Sequence, residues 1–240
     1  MSGFAAPALA ADTNIEVGVH KTATFLGMTF NVDTIIATVV AGAIVLGLGL
    51  YMAHRASHGV PSKLQVAFET VTDAVQGQVD ATIGRTAQFV VPLAVTLFFF
   101  ILIANWLELV PTHENLPSPT ADTNLTYAMA FTVVIWANIA GMRKKGLRRY
   151  GRHFVEPYKV LLPLNVVEEL VKPFTLALRL FGNIFAGGIM ISLIGLFPAW
   201  LLWAPNGVWK LFDAFIGVIQ AFIFALLTIL YFSFAMQEDH

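Results

Sequence analysis

Long apolar runs recur along this chain and exceed the length of ordinary core helices. A helix that crosses the roughly 30 Å hydrocarbon core of a bilayer needs about 20 mostly apolar residues. Five stretches reach or approach that length, and they lie at about 32–53, 88–110, 124–142, 160–203 and 208–235. We expect the fourth to be broken by its prolines, which are Pro163, Pro173 and Pro198. The pattern predicts an all-α integral membrane protein with about five membrane-embedded helices.

A different periodicity covers residues 62–84. Apolar side chains recur there at steps of three and four, namely Leu64, Phe68, Val71, Val75, Val79 and Ile83. Polar side chains fill the other face, namely Lys63, Gln65, Glu69, Asp73, Gln76 and Asp80. This pattern predicts one amphipathic helix that lies in the membrane plane. A helix packed on a soluble partner is the alternative.

Basic residues in the short loops set the orientation. Residues 143–152 hold six Lys or Arg, and Arg55 and Lys63 flank the loop after the first span, whereas 111–123 has no basic residue. Loops rich in Lys and Arg stay in the cytoplasm. We therefore expect the N-terminus outside and the C-terminus in the cytoplasm.

The N-terminal segment is expected to be an extramembrane tail. Residues 1–12 are rich in alanine, but they lack the basic start and long apolar core of a signal peptide. We interpret 1–31 as an outer tail and 32–240 as a single membrane domain, with a cleaved signal peptide as the alternative.

Composition supports a bilayer as the solvent and narrows the chemistry. Hydrophobic residues make up 57% of the chain and charged residues 12%, about half the charged share of soluble domains. A net charge of -1 argues against a nucleic-acid partner. The absence of cysteine excludes disulfides and thiolate ligands, and the six histidines show no metal-binding spacing. We expect no cofactor and no metal.

Arg179 is the residue least expected in a membrane. About sixteen mostly apolar residues lie on either side of it, and a buried arginine costs from roughly 3 to more than 10 kcal/mol unless it meets water or a counter-charge. An ion pair with Glu168 or Glu169 is the structural alternative. Glu168 lies about 16 Å away along a helix axis, which is too far for contact. We therefore expect another chain or water to supply the partner.

Other polar residues lie in the last two spans. Asn183 follows Arg179 by one turn, and a lone membrane Asn often serves only to hydrogen-bond two helices. Asp213 and Gln220 share one face of the fifth span, about 10 Å apart; Asp213 could also be an interfacial cap. Small residues at Gly182, Ala186, Gly187 and Gly188 allow close helix packing, either within the chain or against a partner.

The predicted orientation separates these groups into two sets. Glu168 and Glu169 lie on the cytoplasmic side of Arg179, whereas Asp213 lies on the outer side. Polar groups on both sides of a central positive charge suggest two half-pathways divided by a barrier, because a fixed charge opposes free passage of a cation. The absence of internal repeats weakens a stand-alone transporter.

Several motifs together resemble subunit a of F-type ATP synthases of the bacterial type. They are KP-x-x-L-x-L at 172–178, RLFGN-x-x-AG at 179–187, QAFIF-x-LLT at 220–228 with Tyr231, N-x-x-E-L-x-P at 105–111, and PTADTNLT at 119–126. The resemblance covers about 30–238, nearly the whole chain. It implies a non-catalytic, proton-translocating stator subunit in the Fo sector, located in the bacterial plasma membrane.

The resemblance also implies partners and residue roles. The last two helices would be long and tilted and would pack against a rotating ring of c subunits, with b subunits of the peripheral stalk as further partners. Arg179 matches the family's essential arginine, which attracts the ionised ring carboxylate and prevents a direct proton leak. Asn183 and Gln220 match positions near that arginine, and Asp213 matches an outer half-channel position.

Two points of the resemblance stay open. Glu168 or Glu169 matches the inner-channel glutamate, and the spacing before Pro173 does not decide between them. Many bacterial members carry a carboxylate where this chain has Gly188, so Asp213 alone would carry the outer acid. A self-contained channel or antiporter would need a carboxylate beside Arg179, and an intramembrane enzyme would need a paired nucleophile and base; neither pattern is visible.

Overall fold

The computed structural model of the chain describes residues 22–25, 28–55, 61–84, 87–109, 119–146, 162–198 and 200–237. Within these ranges, the side chains of residues 22–30, 108, 121, 162–166, 168–170, 183 and 184 lie outside the described part. The amphipathic helix at 62–84 and the apolar stretches at 32–53, 124–142 and 208–235 fall within these ranges, whereas residues 110, 160, 161 and 199 of the other two stretches lie outside them.

Six α-helices dominate the described ranges of the chain. They are α1 (Val32–Arg55), α2 (Lys63–Thr82), α3 (Val90–Leu109), α4 (Thr123–Lys145), α5 (Leu162–Ile194) and α6 (Trp203–Met236), with a 3-10 turn at Pro119–Ala121 before α4. All of them except α2 are long and apolar enough to cross a membrane. The prediction of an all-α integral membrane protein is therefore confirmed.

The last two helices are longer than a bilayer requires. α5 has 33 residues and α6 has 34, which gives each a length of about 50 Å. A helix of that length must tilt or extend beyond a hydrocarbon core about 30 Å thick.

Proline interrupts the fourth stretch less than expected. α5 begins at Leu162 and continues through Pro163 and Pro173. Pro163 lies in the first turn, where the missing N–H has no intrahelical acceptor. Pro173 is inside the helix, and next to it the Thr175 hydroxyl donates to the carbonyls of Val171 and Lys172, at 3.1 and 3.0 Å. α5 ends at Ile194, shortly before Pro198. The expected breaks at Pro163 and Pro173 were therefore wrong.

A short hairpin precedes the first membrane helix. β1 (Thr22–Phe25) pairs antiparallel with β2 (Met28–Asn31), with Thr22 opposite Asn31 and Phe25 opposite Met28. β2 runs directly into α1. The sequence had predicted only a tail here.

The helices pack around α6. α3 makes the most extensive contact with α6, and α4 packs against both α5 and α6, while α5 and α6 touch each other over a smaller surface. A central core cluster joins α3, α4, α5 and α6, with Phe98, Ala130, Leu176, Leu180 and Phe224 among its members. A second cluster holds the end of α2 against α3, α4 and α6.

The amphipathic helix α2 uses its apolar face against the bundle. Ser62 caps its N-terminus by accepting from the Gln65 amide, and Val75 and Val79 are buried against the neighbouring helices. Its first turn departs from the predicted faces, because Leu64 is exposed and Gln65 is buried. The Gln65 amide nitrogen is satisfied by Glu69 Oε1 at 2.7 Å.

Candidate functional site

Arg179 lies in the middle of α5 and on its exposed side. It is 17 residues after Leu162 and 15 before Ile194, so each helix end is more than about 20 Å away along the axis. Leu176, Ala177 and Leu180 bury the opposite side of α5 in the central core cluster, which turns Arg179 outward. Among the residues that the structure describes, Arg179 has no hydrogen-bond or ion-pair partner.

Apolar side chains surround Arg179 on this exposed face. Leu178 and Phe185 are 53% and 43% exposed, and Gly182 and Ala186 are exposed beside them. A guanidinium in such a setting would be poorly solvated by lipid. The arrangement is the one expected if another chain covers this side of α5 and brings a counter-charge.

Two contacts fix the antiparallel alignment of α5 and α6. A Cβ built on Gly187 would lie 3.8 Å from Asp213 Oδ1, and the Lys172 ammonium lies 5.9 Å from the centre of the Phe234 ring. Arg179 is eight residues from Gly187, and Gln220 is seven residues from Asp213. Arg179 and Gln220 are therefore at nearly the same height, about 10–12 Å from the Gly187–Asp213 contact.

The small residues of α5 differ in their burial and in what they face. Gly187 is buried and faces Asp213 of the same chain, whereas Gly182 and Ala186 are exposed. A Cβ added at Gly182 or Gly188 would meet nothing within 4 Å. Gly187 thus serves packing within the chain, while Gly182 leaves room for a close approach from outside.

One stripe of α6 carries the polar residues of the fifth span. Asp213, Gly217 and Gln220 lie within about 60° of one another in projection at 100° per residue. Asp213 is half-buried, and Gln220 is only 6% exposed. Gln220 Nε2 has no hydrogen-bond partner among the described residues. This stripe faces the interior of the bundle rather than the exposed apolar side of α6.

Two residues of α3 face the same stripe. Asn105 Nδ2 donates to the Gly217 carbonyl at 3.4 Å, and Trp106 Nε1 donates to the Ala214 carbonyl at 3.2 Å. Asn105 also accepts a 2.9 Å hydrogen bond from the Thr120 hydroxyl of the 3-10 turn, and both of these residues are buried. A buried polar patch therefore lies beside α6 between Asp213 and Gln220.

Sequence reasoning missed the roles of Asn105, Thr120 and Gly217. Asn105 and Thr120 were noted only as members of the motifs at 105–111 and 119–126, and Gly217 was not singled out. Their contacts join residues 15 and 112 positions apart, so no local pattern reveals them. The available clue was an Asn placed inside an otherwise apolar span, a residue type that usually finds a partner on another helix.

Asp122 is a buried carboxylate immediately before the start of α4. Asp122 caps α4 by accepting from the Asn124 amide at 2.8 Å, and its other oxygen accepts from Asn31 and Thr34 at 2.6 and 2.9 Å. It therefore ties the start of α1 to the start of α4. This role is structural, because the carboxylate accepts three hydrogen bonds from within the chain.

Three of the predicted site residues lie outside the described side chains. They are Glu168, Glu169 and Asn183, whose backbone belongs to α5. Because α5 is continuous, Glu168 and Glu169 are 11 and 10 residues from Arg179, or about 15–16 Å along the axis. Within the described part of the chain, no three His, Asp or Glu side chains group as a metal site.

Comparison with known proteins gives one consistent family. A sequence profile of the family described as ATP synthase A chain matches residues 35–233. ATP synthase subunit a of Acidothermus cellulolyticus is 55% identical over 92% of this chain and 83% of its own length. Subunit a of Mycobacterium marinum is 50% identical over 94% of this chain and 96% of its own length. Subunit a of Coxiella burnetii is 37% identical over 88% and 86%.

Proposed function

The chain belongs to the ATP synthase A chain family, and from that membership we propose that it is the proton-conducting stator subunit of an F-type ATP synthase. It would have no catalytic site of its own. Protons would reach and leave the carboxylates of a c-subunit ring through two aqueous half-channels separated by Arg179. The resulting ring rotation would drive ATP synthesis elsewhere in the complex.

The outward-facing Arg179 carries this proposal. A guanidinium held in the middle of α5 among exposed apolar side chains is stable only if a counter-charge or water meets it. A ring carboxylate supplies that charge, and an opposite charge within about 4–6 Å favours the ionised acid. Arg179 therefore draws each arriving carboxylate into its ionised form. Its fixed charge also opposes direct passage of a proton between the half-channels.

The outer half-channel is assigned to the stripe of α6 that begins with Asp213. Asp213 accepts a proton from the outer side, and the patch of Asn105, Thr120 and Gln220 provides polar surface toward the height of Arg179. Gln220 supports this assignment, because an unpartnered buried amide is satisfied when water enters. Gly188 offers no carboxylate, which leaves Asp213 as the outer acid.

The inner half-channel is assigned to Glu168 or Glu169. Both are placed on α5 between Arg179 and the predicted cytoplasmic end, about 15 Å from the arginine. A proton released at the ring would leave through this side. Each charge that crosses the membrane supplies about 2.3 kcal/mol per 100 mV of potential, which is the source of the rotation.

The proposal includes a location and an assembly. The chain is a multi-pass membrane protein, and we assign it to the bacterial plasma membrane with the N-terminus outside and the C-terminus in the cytoplasm. Gly182 and Ala186 give a ring helix room to approach α5. The b subunits of the peripheral stalk would hold the chain still while the ring turns.

Replacement of Arg179 tests the proposal. Arg179→Ala should abolish ATP synthesis driven by a proton gradient in vesicles, while the complex still copurifies with its ring. Leu178→Ala is the matched control, because Leu178 lies next to Arg179 on the same exposed face and carries no charge; it should retain synthesis. Normal synthesis by assembled Arg179→Ala complexes would contradict the assigned role.

A further inference from the structure

Two more polar residues extend the stripe of α6 toward its N-terminal end. Asn206 and Trp209 precede Asp213 by seven and four residues, which places both within about 40° of Asp213 in projection. The stripe thus runs from Asn206 through Trp209, Asp213 and Gly217 to Gln220. Along the axis, Trp209 is about 6 Å and Asn206 about 10 Å from Asp213.

One polar side-chain atom of each of these two residues is buried and unpaired among the described residues. Asn206 Oδ1 and Trp209 Nε1 have no hydrogen-bond partner in the described part of the chain, and the same holds for Gln220 Nε2. Native proteins rarely leave such atoms unsatisfied, and a buried indole N–H usually finds an acceptor. Three of the five atoms of this kind in the described residues lie on this single stripe.

We propose that Asn206 and Trp209 form the water entrance to Asp213 on the outer side of the membrane. This inference rests on the proposed function, and it adds two positioning residues that neither accept nor release protons. Trp209 Nε1 is a hydrogen-bond donor only, and Asn206 Oδ1 is a hydrogen-bond acceptor only. Together they bind and orient water, and Asp213 is then the first group on the path that takes up a proton.

The spacing suits a short chain of water. Hydrogen-bonded oxygens are about 2.8 Å apart, so the rise of about 6 Å from Trp209 to Asp213 corresponds to two hydrogen-bond lengths. Water that enters here also satisfies the buried atoms, which removes the penalty of leaving them unpaired. Val208, by contrast, is 71% exposed on the opposite face of the same turn, where lipid or a neighbouring apolar helix would cover it.

Thiol labelling shows whether the stripe of α6 is accessible to water or is buried away from it. The chain has no cysteine, so Asn206→Cys, Trp209→Cys and Val208→Cys each introduce a single reactive site. A membrane-impermeant, positively charged methanethiosulfonate is added from the outer side of vesicles that contain the complete complex. The thiols of Asn206→Cys and Trp209→Cys should react at least about tenfold faster than that of Val208→Cys, because a thiol in apolar surroundings forms little thiolate. Equal or faster labelling at 208 would overturn the proposal.

A second variant tests the N–H donor of Trp209 while keeping an aromatic side chain at this position. Trp209→Phe keeps an aromatic ring and removes only the N–H, whereas Trp203→Phe is the control, because Trp203 is 76% exposed and lies off the stripe. In Trp209→Phe the rate of ATP synthesis should fall about three- to tenfold, the effect of one net hydrogen bond. The deficit should grow as the outer pH rises and proton supply becomes limiting. A rate and pH profile equal to those of Trp203→Phe would refute the entrance.

The experiments can disprove the water entrance and the proposed stator function independently of each other. If Trp209→Phe and Asn206→Leu behave as the wild type while Arg179→Ala is inactive, the entrance is wrong and the stator function stands. If Arg179→Ala remains active, the proposed function itself fails.

Discussion

Gly217 offers the sharpest test of how α3 and α6 build the polar patch. A Cβ at this position would lie 3.1 Å from Asn105 Cβ and 3.6 Å from Trp106 Cδ1. Asn105 Cβ is attached directly to the backbone, so rotation of the side chain cannot relieve the contact. A larger residue at Gly217 must therefore push α3 away from α6.

Three contributions determine how much a larger residue at Gly217 changes the free energy of unfolding. Overpacking costs about 1–3 kcal/mol, and separation of the helices weakens two hydrogen bonds, from Asn105 to Gly217 and from Trp106 to Ala214, each worth about 0.5–1.5 kcal/mol. The higher helix propensity of valine or alanine compared with glycine offsets at most about 1 kcal/mol. Gly217→Val should therefore lower the free energy of unfolding by about 2–5 kcal/mol, and Gly217→Ala by less.

The assay is unfolding of the purified chain in mixed micelles, together with ATP synthesis by the reconstituted complex. Gly47→Val in α1 is the control, because a Cβ at Gly47 meets nothing within 4 Å. We expect Gly217→Val to be less stable than this control and to synthesise ATP more slowly. If both variants unfold at the same detergent concentration, the close contact between α3 and α6 is not as described.

Two further predictions concern the carboxylates of Asp213 and Asp122. Asp213→Asn should slow proton uptake from the outer side, and unchanged proton pumping at all outer pH values would reject Asp213 as the outer acid. Asp122→Ala should lower the free energy of unfolding by about 2–4 kcal/mol, because α4 loses its cap and the hydrogen bonds to Asn31 and Thr34 are lost. Wild-type stability of this variant would show that the loop is held by other contacts.

The membrane helices were predictable because a bilayer imposes a minimum length on every apolar run. Four of the predicted spans overlap their helices closely, whereas 160–203 extends nine residues beyond the end of α5 at Ile194. α4 begins within a residue of the expected position because Asp122 caps it. The prolines were harder to judge. Pro163 falls in a first turn that needs no donor, and α5 continues through Pro173, where the Thr175 hydroxyl bonds to carbonyls of the neighbouring turn. The hairpin before α1 left no clear periodicity in the sequence.

The candidate site was predictable only where one residue was anomalous by itself. Arg179 and Asp213 stand out because a charge is costly inside any apolar span. The patch around Asn105 depends on contacts between three separate segments, and the packing of Gly187 against Asp213 depends on the alignment of α5 with α6. Such contacts are properties of the assembled bundle.

The central claim is that the face of α5 around Arg179 meets the acid-bearing helix of a mobile neighbour. Gly182→Cys places a thiol on that face, one turn from Arg179, and Ala177→Cys places one in the core, where the native residue is 1% exposed. Each is combined with a single cysteine beside the carboxylate of the ring subunit and then oxidised, since a disulfide forms only when the Cβ atoms approach to about 3.5–4.5 Å. The account predicts a cross-link from position 182 that stops ATP synthesis until it is reduced, and none from position 177. Cross-linking from 177 but not from 182 would contradict it.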